Sequence, residues 1–274
     1  SDPSPCLLGN LPMIDPPLDV DRLLRETFVA RVEHLATTES TNDVAKARAA
    51  QGDADLPRLI VADEQTAGRG RGSHRWWTGR ESLAFSLLLD AAGLGADRQR
   101  AMLVGLGAAV AVVETVAPLV PERRVGLHWP NDVFVDGRKL AGILVEVPAG
   151  ARLVVGIGLN TNDALGDAPP EVRDKAVTLR DLTGRRFDRT SILLDLLPRL
   201  EAVWAHLASS PEAIGNQAHA RCLQRGTILT VELGRESVRG RCAGIAADGA
   251  LLLDTPGGRR RLVSGVVCWP SRRA

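Results

Sequence analysis

The feature that most constrains this chain is a glycine–arginine loop between two apolar segments that are typical of β-strands. The loop spans residues 63–77 and reads DEQTAGRGRGSHRWW, with apolar runs at residues 59–62 and 83–89 on either side. Its centre alternates three glycines with two arginines at residues 68–72. Glycine lets a backbone approach a ligand closely, and a guanidinium forms paired hydrogen bonds to carboxylate or phosphate. The pattern therefore favours a loop that wraps an anion at the edge of a sheet.

The loop does not match either common glycine motif of nucleotide-binding proteins. The pattern G-x-x-x-x-G-K-[ST] does not occur in the chain. Ser73 stands where a G-x-G-x-x-G motif counted from Gly68 and Gly70 would need its third glycine. An ordinary solvated Arg/Gly loop stays open as an alternative at this point, so a functional reading needs support from other segments.

Composition is that of a globular protein with little net charge. The chain has 274 residues, of which 45% are hydrophobic and 24% charged, and its formal net charge is +1. This balance argues against a strongly basic surface for nucleic acid. The longest apolar run, residues 101–113, is expected to be too short to span a bilayer. We therefore expect neither a nucleic-acid nor a membrane partner.

The cysteines point to a reducing compartment and away from a metal site. Cys6, Cys222, Cys242 and Cys268 show no C-x-x-C spacing, so neither a zinc site nor a redox pair is indicated. Together with the lack of a signal-peptide pattern, this predicts a cytoplasmic location.

The order of elements predicts two folded units after a proline-rich leader. Residues 1–17 are expected to be a flexible leader, residues 18–221 the main domain and residues 222–274 a small β-barrel domain. The barrel is expected to be a packing module without a ligand of its own. In the main domain the predicted helices cover residues 18–28, 96–116, 190–208 and 211–221, and the predicted strands residues 29–35, 59–62, 83–89, 133–135, 140–147 and 152–160. A further helix is predicted to begin at an N-cap formed by Ser40 or Thr41 and to run to about Ala50.

Several single residues carry further expectations. Asp136-Gly137 predicts a hairpin turn, and Pro198 is expected to kink or split its helix. Only three of the 34 basic residues are lysines, and of these Lys46 and Lys175 are expected to be solvated. The third, Lys139, begins a predicted strand.

Five short motifs in the same order resemble the biotin protein ligase family. The resemblance covers roughly residues 30–270. The motifs are STN at 40–42, QTAGRGRG at 65–72, WPND at 129–132, RKLAGILVE at 138–146 and GIGLN at 156–160. The resemblance implies an α+β fold with a mixed or antiparallel sheet and flanking helices, like the core of class II aminoacyl-tRNA synthetases, followed by an SH3-like β-barrel.

The resemblance also implies a two-step reaction with ATP and Mg²⁺. Biotin's carboxylate would attack the α-phosphate of ATP to give biotinyl-5′-adenylate and pyrophosphate. A lysine of a biotin carboxyl carrier protein or domain would then attack the adenylate and release AMP. A monomer and a homodimer both stay open. Because no N-terminal DNA-binding domain is recognised, the expectation is a ligase without repressor activity.

Site residues carry over from the motifs by position. The catalytic residues would be Lys139, Arg69 and Arg71. Biotin would contact Ser40, Thr41, Gln65, Gly68, Arg69, Lys139, Gly142 and Gly158. ATP or the adenylate would contact Arg69, Arg71, Trp76, Asn131, Asp132, Lys139 and Asn160, with Trp77 as an alternative cover. Metal binding would involve the region of Asp132 together with the ATP phosphates.

The loop departs from the family pattern in its second half. Many bacterial members read G-R-G-R-x-G-R-x-W, whereas residues 72–76 here read GSHRW, so that His74 stands in place of an arginine and is expected to be solvated. We also expect residues 66–75 to be mobile without ligand. Two alternatives stay open: a lipoate ligase or octanoyltransferase, and a binding protein that keeps the pocket without the chemistry.

Overall fold

A computed structural model describes residues 17–52, 54–91 and 98–268 of the chain. The expected leader, except residue 17, lies outside the described residues. The first two residues of the predicted helix 96–116 lie outside them too.

The described residues form seven α-helices and twelve β-strands. The helices are α1 (Val20–Glu26), α2 (Thr41–Ala50), α3 (Arg98–Val116), α4 (Pro170–Arg173), α5 (Leu179–Thr183), α6 (Arg189–Ser209) and α7 (Pro211–Arg221). The strands are β1 (Arg31–Thr38), β2 (Arg58–Gln65), β3 (Leu83–Asp90), β4 (Val125–His128), β5 (Asp132–Val135), β6 (Arg138–Glu146), β7 (Arg152–Leu159), β8 (Ile228–Leu233), β9 (Glu236–Ile245), β10 (Leu251–Thr255), β11 (Gly258–Leu262) and β12 (Val266–Cys268).

The first seven strands make one mixed sheet. Their order is β1-β2-β3-β7-β6-β5-β4, with β1 and β2 parallel and each other neighbouring pair antiparallel. The hairpin predicted at Asp136-Gly137 joins β5 to β6, and both residues have positive φ. The expected α+β class with a mixed sheet is therefore confirmed.

Helices cover both faces of this sheet, and strand β3 shows why its sequence is apolar throughout. Leu83, Phe85 and Leu87 point into the main core with α3, α6 and α7, whereas Leu88 packs with Ala45 of α2 on the opposite face. A strand that is buried on both faces does not need polar residues at alternate positions. Ser86 lies on the α2 face and is buried, so this polar side chain in an apolar strand marks the face that carries the site.

Helix α3 is the buried centre of the main core. By length and composition the segment Arg100–Leu119 could cross a membrane, and most of that stretch is buried inside the protein. The apolar run of residues 101–113 therefore lies within a longer helix. A core helix passes the same test, and the packing of α3 against α6, α7 and strands β4–β6 accounts for its apolar surface.

Two local expectations need correction. Pro198 does not split its helix: α6 runs from Arg189 to Ser209, and Pro198 lies on the exposed side of its middle. Ser40 occupies the N-cap position of α2, but its side chain makes no capping hydrogen bond. It is buried instead at the start of the helix, beside the site described below.

The last five strands form a second, antiparallel sheet in the order β11-β10-β9-β8-β12. An antiparallel sheet is consistent with the predicted small β domain, and β11 and β12 are the outer strands of the described sheet. Trp129 joins this unit to the first sheet, since its backbone N–H donates to Gln224 Oε1 (2.7 Å) and its indole Nε1 donates to Gly249 O (3.0 Å).

Candidate active site

A cavity of about 340 Å³ opens on the α2 face of the large sheet. The glycine–arginine loop forms its cover, and strands β6 and β7 form its floor. Its wall includes Ser40, Thr41, Gln65, Arg69, Arg71, Trp76, Asn131, Asp132, Lys139, Gly142 and Gly158. Eleven residues predicted from the motifs therefore converge on one cavity, although they span more than a hundred positions of the chain.

The loop is a tight turn closed by its own backbone. Gly70 N donates to His74 O (2.8 Å) and Trp76 N to Gly68 O (2.9 Å), while Gly72 has a φ of 62°. A Cβ on Gly68 would lie 2.4 Å from the carbonyl oxygen of Trp76. Gly68 is thus required by the closure of the loop itself, and its contact with biotin stays a prediction. His74 is exposed, as expected.

Trp76 lies above Gly142 and Gly158, two glycines of the cavity floor, in a narrow part of the cavity that we call the slot. A Cβ on Gly158 would lie 2.2 Å from Trp76 Cε2, and one on Gly142 would lie 3.0 Å from Trp76 Cζ3. The indole Nε1 is buried and has no hydrogen-bond partner among the residues that the structure describes. Trp77, by contrast, packs against a small apolar cluster that includes Leu165. Of the two tryptophans, Trp76 is the one that faces the cavity, and a ligand that uses this slot must displace its indole.

One end of the cavity carries a preformed polar network. Gln65 Oε1 accepts from Thr41 N (2.8 Å) and Thr41 Oγ1 (3.2 Å), and Gln65 Nε2 donates to Thr78 Oγ1 (3.1 Å). Ser86 Oγ lies 2.7 Å from Thr41 Oγ1 and 2.6 Å from Asn42 Oδ1. These buried groups satisfy one another, so donors and acceptors are held in place before a ligand arrives.

Asn42 and Ser86 were not among the predicted site residues. The signals that could have identified them were present: Ser86 interrupts an apolar strand, and Gly156 interrupts β7. A Cβ on Gly156 would lie 2.1 Å from Asn42 Oδ1. The glycine in the strand therefore marks the close approach of a side chain, Asn42, from α2.

Lys139 lies beside the slot, paired with Asp132. Its Nζ is 2.8 Å from Asp132 Oδ1 and 5.5 Å from the centroid of the Trp76 ring. A Cβ on Gly142 would lie 3.2 Å from the same nitrogen. The ammonium group is thus positioned between the aspartate, the indole and the glycine floor, where it can reach an anion that enters the slot.

Arg71 has only neutral hydrogen-bond partners among the described residues. Its Nη1 donates to Asn131 Oδ1 (3.4 Å) and its Nη2 to Gly265 O (3.2 Å). Burial lowers the pKa of Arg71 below its usual value, and the nearby charge of Asp132 opposes this shift. A partly buried guanidinium without a paired carboxylate favours the binding of an anion.

Arg69 has a different environment, although it is only two residues away. Its guanidinium pairs with two carboxylates, those of Asp43 and Glu146. The sequence grouped Arg69 and Arg71 as equivalent catalytic residues. In the fold, the positive charge of Arg71 is available to a ligand in the cavity, whereas the positive charge of Arg69 is balanced by the two carboxylates.

Asn160, predicted near adenine, is buried outside the wall of the cavity. Its Nδ2 donates to Lys139 O (3.3 Å) and Val177 O (3.2 Å). It therefore holds the backbone of Lys139, and an adenine contact stays a prediction.

The second unit contributes to the cavity wall. Gly265, Val266 and Val267 line its mouth, and Gly265 O accepts from Arg71. That this unit has no ligand of its own stays a prediction. The residues that follow β11 in the chain return toward the loop and complete the wall.

His128 is a further wall residue that sequence reasoning missed. Its ring stacks on Phe134 with centroids 4.5 Å apart, and burial lowers its pKa to about 4. The imidazole is therefore neutral at physiological pH. The charge of this wall depends on Arg71, Lys139 and Asp132.

The metal-ligating groups on the cavity wall could hold Mg²⁺ only together with a phosphate ligand that supplies further oxygens. Among the described residues, no group of three histidine, cysteine or acidic side chains could hold a metal. Within the described part of the chain, Asp132 is the one carboxylate on the wall of the cavity. Mg²⁺ commonly takes one or two protein carboxylates and completes its shell with phosphate oxygens and water, and Asp132 can supply one such ligand.

Comparison with known proteins agrees with the geometry. Residues 35–162 match the model of the biotin/lipoate A/B protein ligase family, and residues 227–268 match the biotin protein ligase C-terminal domain. A biotin–[acetyl-CoA-carboxylase] ligase of Mycobacterium tuberculosis is 38% identical, over 91% of this chain and 94% of its own length. The Paracoccus denitrificans ligase of the same name is 34% identical, over 82% and 95%.

A solved structure extends the similarity to the fold. The biotin protein ligase of Aquifex aeolicus, in complex with biotin and ATP, superposes with a TM-score of 0.76 at 28% identity, covering 87% of this chain and 97% of that one. Sequence, fold and the order of the motifs agree along nearly the whole described chain. The chain therefore belongs to the biotin protein ligase family.

Proposed function

We propose that this protein activates biotin with ATP to biotinyl-5′-adenylate and transfers the biotinyl group to a lysine of a carboxyl carrier domain. The observation that carries the proposal is a slot with hydrogen-bonding groups at one end and two cations, Lys139 and Arg71, at the other. Relatives named as acetyl-CoA-carboxylase ligases support the choice of carrier.

The polar end suits the ureido ring of biotin. A ureido group offers one carbonyl acceptor and two N–H donors, and the wall residues Ser40, Thr41 and Gln65 carry both kinds of partner. The slot between this end and Lys139 has the backbone of Gly142 and Gly158 as its floor and the indole of Trp76 above it. A short apolar chain would fit there and would bring its carboxylate to the ammonium group of Lys139.

The cations address the electrostatic difficulty of the first step. The carboxylate oxygen attacks the α-phosphorus while the bond to pyrophosphate breaks, so two anions meet and negative charge accumulates. Lys139 supplies a compact charge that can face both groups, and Arg71 supplies a planar donor pair for phosphate oxygens. In the second step the carrier amine attacks the carbonyl carbon of the mixed anhydride, and AMP leaves.

Asp132 orients Lys139, and the loop limits access of water. The 2.8 Å contact fixes the ammonium group, and Asp132 would also be the protein ligand for Mg²⁺, which neutralises phosphate charge when bound. Trp76 would cover the adenylate after moving out of the slot. Exclusion of water matters because the mixed anhydride hydrolyses readily.

We further propose that the catalytic unit spans residues 18–221 and the second unit residues 222–274. Helix α7 ends at Arg221 and the second sheet begins at Ile228. Likeness to class II aminoacyl-tRNA synthetases is the proposed description of the first unit, and an SH3-like barrel that of the second. A cytoplasmic location fits a reaction that consumes ATP and modifies a carboxylase.

Exchange of labelled pyrophosphate into ATP tests the proposal. Exchange that depends on biotin, and does not occur with lipoate or octanoate, is the expected result. Exchange with lipoate instead would assign the chain to lipoate ligation, and biotin binding without exchange would support a binding protein. Transfer of labelled biotin to an isolated carrier domain, but not to the same domain with its acceptor lysine changed to arginine, tests the second step.

A further inference from the structure

A second group of charges borders the glycine–arginine loop on the side away from Lys139. Asp43 and Lys46 come from α2, and Glu146 ends β6; together they form what we call the arginine socket. Lys46 Nζ lies 2.7 Å from Asp43 Oδ1 and 3.1 Å from Glu146 Oε1. Arg69 binds the same two oxygens, with Nη1 on Asp43 and Nη2 2.9 Å from Glu146. Two cations therefore share two carboxylate oxygens.

The socket carboxylates are built to stay ionised. Burial by itself would raise the pKa of Glu146, yet hydrogen bonds from Asn42 and Lys46 and the charges of Lys46 and Arg69 hold it below its usual value. Burial would also raise the pKa of Asp43, but the hydrogen bonds and charges of Lys46 and Arg69 lower it below its usual value. Lys46 is thus an ion-pair partner that is 31% exposed, where the sequence predicted a solvated charge.

Glu146 is also tied to the polar end of the cavity. Its Oε2 accepts from Asn42 Nδ2 (2.8 Å), and Asn42 Oδ1 accepts from Ser86 (2.6 Å). Because Gly156 lets Asn42 approach β7, the position of Glu146 is set by the same residues that shape the polar end. The carboxylate is therefore a fixed anchor, while Arg69 belongs to a loop.

We propose that Glu146 and Lys46 are positioning residues for the loop, with opposite effects on how tightly it docks. Glu146 holds Arg69 and so keeps the loop over the cavity. Lys46 competes with Arg69 for the same oxygens. With Lys46 present, the socket presents a net charge of −1 to Arg69; without Lys46, the two carboxylates present a net charge of −2. Removal of Lys46 should therefore tighten docking, and neutralising Glu146, which leaves a net charge of zero, should loosen it.

Tryptic cleavage of the ligand-free protein measures docking directly, since the loop contains Arg69, Arg71 and Arg75 as cleavage sites. When opening and closing are fast, the cleavage rate follows the population of the open loop. We expect Glu146→Gln to be cleaved in the loop about threefold faster, and Lys46→Met about threefold slower, as for partly exposed ion pairs of about 0.6 kcal/mol. Lys46→Arg, which keeps the charge, should behave like the wild type.

A matched control separates docking from general stability. Asp195→Asn removes a carboxylate from the exposed pair with Arg199 on α6 and should leave loop cleavage unchanged. Cleavage outside residues 68–76, followed by mass spectrometry, reports global unfolding. If both socket variants changed loop cleavage in the same direction, or neither changed it, the proposal would be overturned. No substrate is used, so this result is independent of whether pyrophosphate exchange succeeds.

Discussion

Gly158→Ala tests whether the indole of Trp76 truly occupies the slot. The added methyl carbon would lie 2.2 to 2.5 Å from Cε2, Cζ2 and Nε1 of Trp76. Carbon atoms in contact are ordinarily about 3.5–4.0 Å apart. The methyl group and the docked indole cannot occupy these positions together, so one of them must move by more than an ångström.

The loop is the part that can move. Gly158 is paired with Ala84 on one side and Gly142 on the other, so its backbone is held in the centre of the sheet. Overpacking costs about 1–3 kcal/mol, which corresponds to a factor of about 5 to 150 in the ratio of docked to open loop. Tryptic cleavage in the loop should rise by that factor. The melting temperature should change little, because the displaced indole lies outside the main core.

The assay is the rate of loop cleavage in the ligand-free protein, compared with Gly166→Ala as the matched control. A Cβ at Gly166 would meet no described atom within 4 Å, so that variant should be cleaved like the wild type. The methyl on Gly158 also narrows the slot for biotin and should raise the KM for biotin about tenfold or more. Wild-type cleavage together with a wild-type KM would refute the placement of Trp76 and the use of this slot.

Three further predictions address the cavity wall. Lys139→Ala should reduce biotin-dependent pyrophosphate exchange by about 10²- to 10³-fold, while the thermal midpoint stays nearly unchanged because its ion pair is partly exposed. Arg71→Ala should raise the KM for ATP and reduce exchange more than Arg69→Ala, whose main effect should be faster loop cleavage. The folded protein should lose stability as the pH falls from 6.5 toward 4, because the unfolded chain protonates His128 near its ordinary pKa of 6.5 and the folded chain only near 4. His128→Gln should remove about 1–3 kcal/mol of this pH dependence, measured as the urea midpoint at about pH 7 and pH 4.5.

Each of these predictions has a contrary result. Unchanged exchange in Lys139→Ala would remove Lys139 from the first step. Equal losses of exchange in Arg69→Ala and Arg71→Ala would show that ion pairing does not separate the two arginines. A pH dependence that survives in His128→Gln would assign the loss of stability at low pH to other groups.

Local patterns in the sequence determined most of the fold. Helix α2 begins at Thr41 and ends at Ala50 as its pattern predicts, and Asp136-Gly137 forms the hairpin between β5 and β6. These features depend on neighbours within a few residues, so the sequence alone can predict them. The order of five motifs identified the family in the same way, because each motif is a short contiguous segment.

The roles of the charged residues were decided by the tertiary structure. Arg69 and Arg71 are equivalent in a sequence pattern, yet Arg69 pairs with Glu146, which lies 77 positions away, and Arg71 reaches Gly265, 194 positions away. Lys46 became part of the arginine socket for the same reason. The available charge of a group depends on which carboxylates lie within a few ångströms, and only folding brings those partners together.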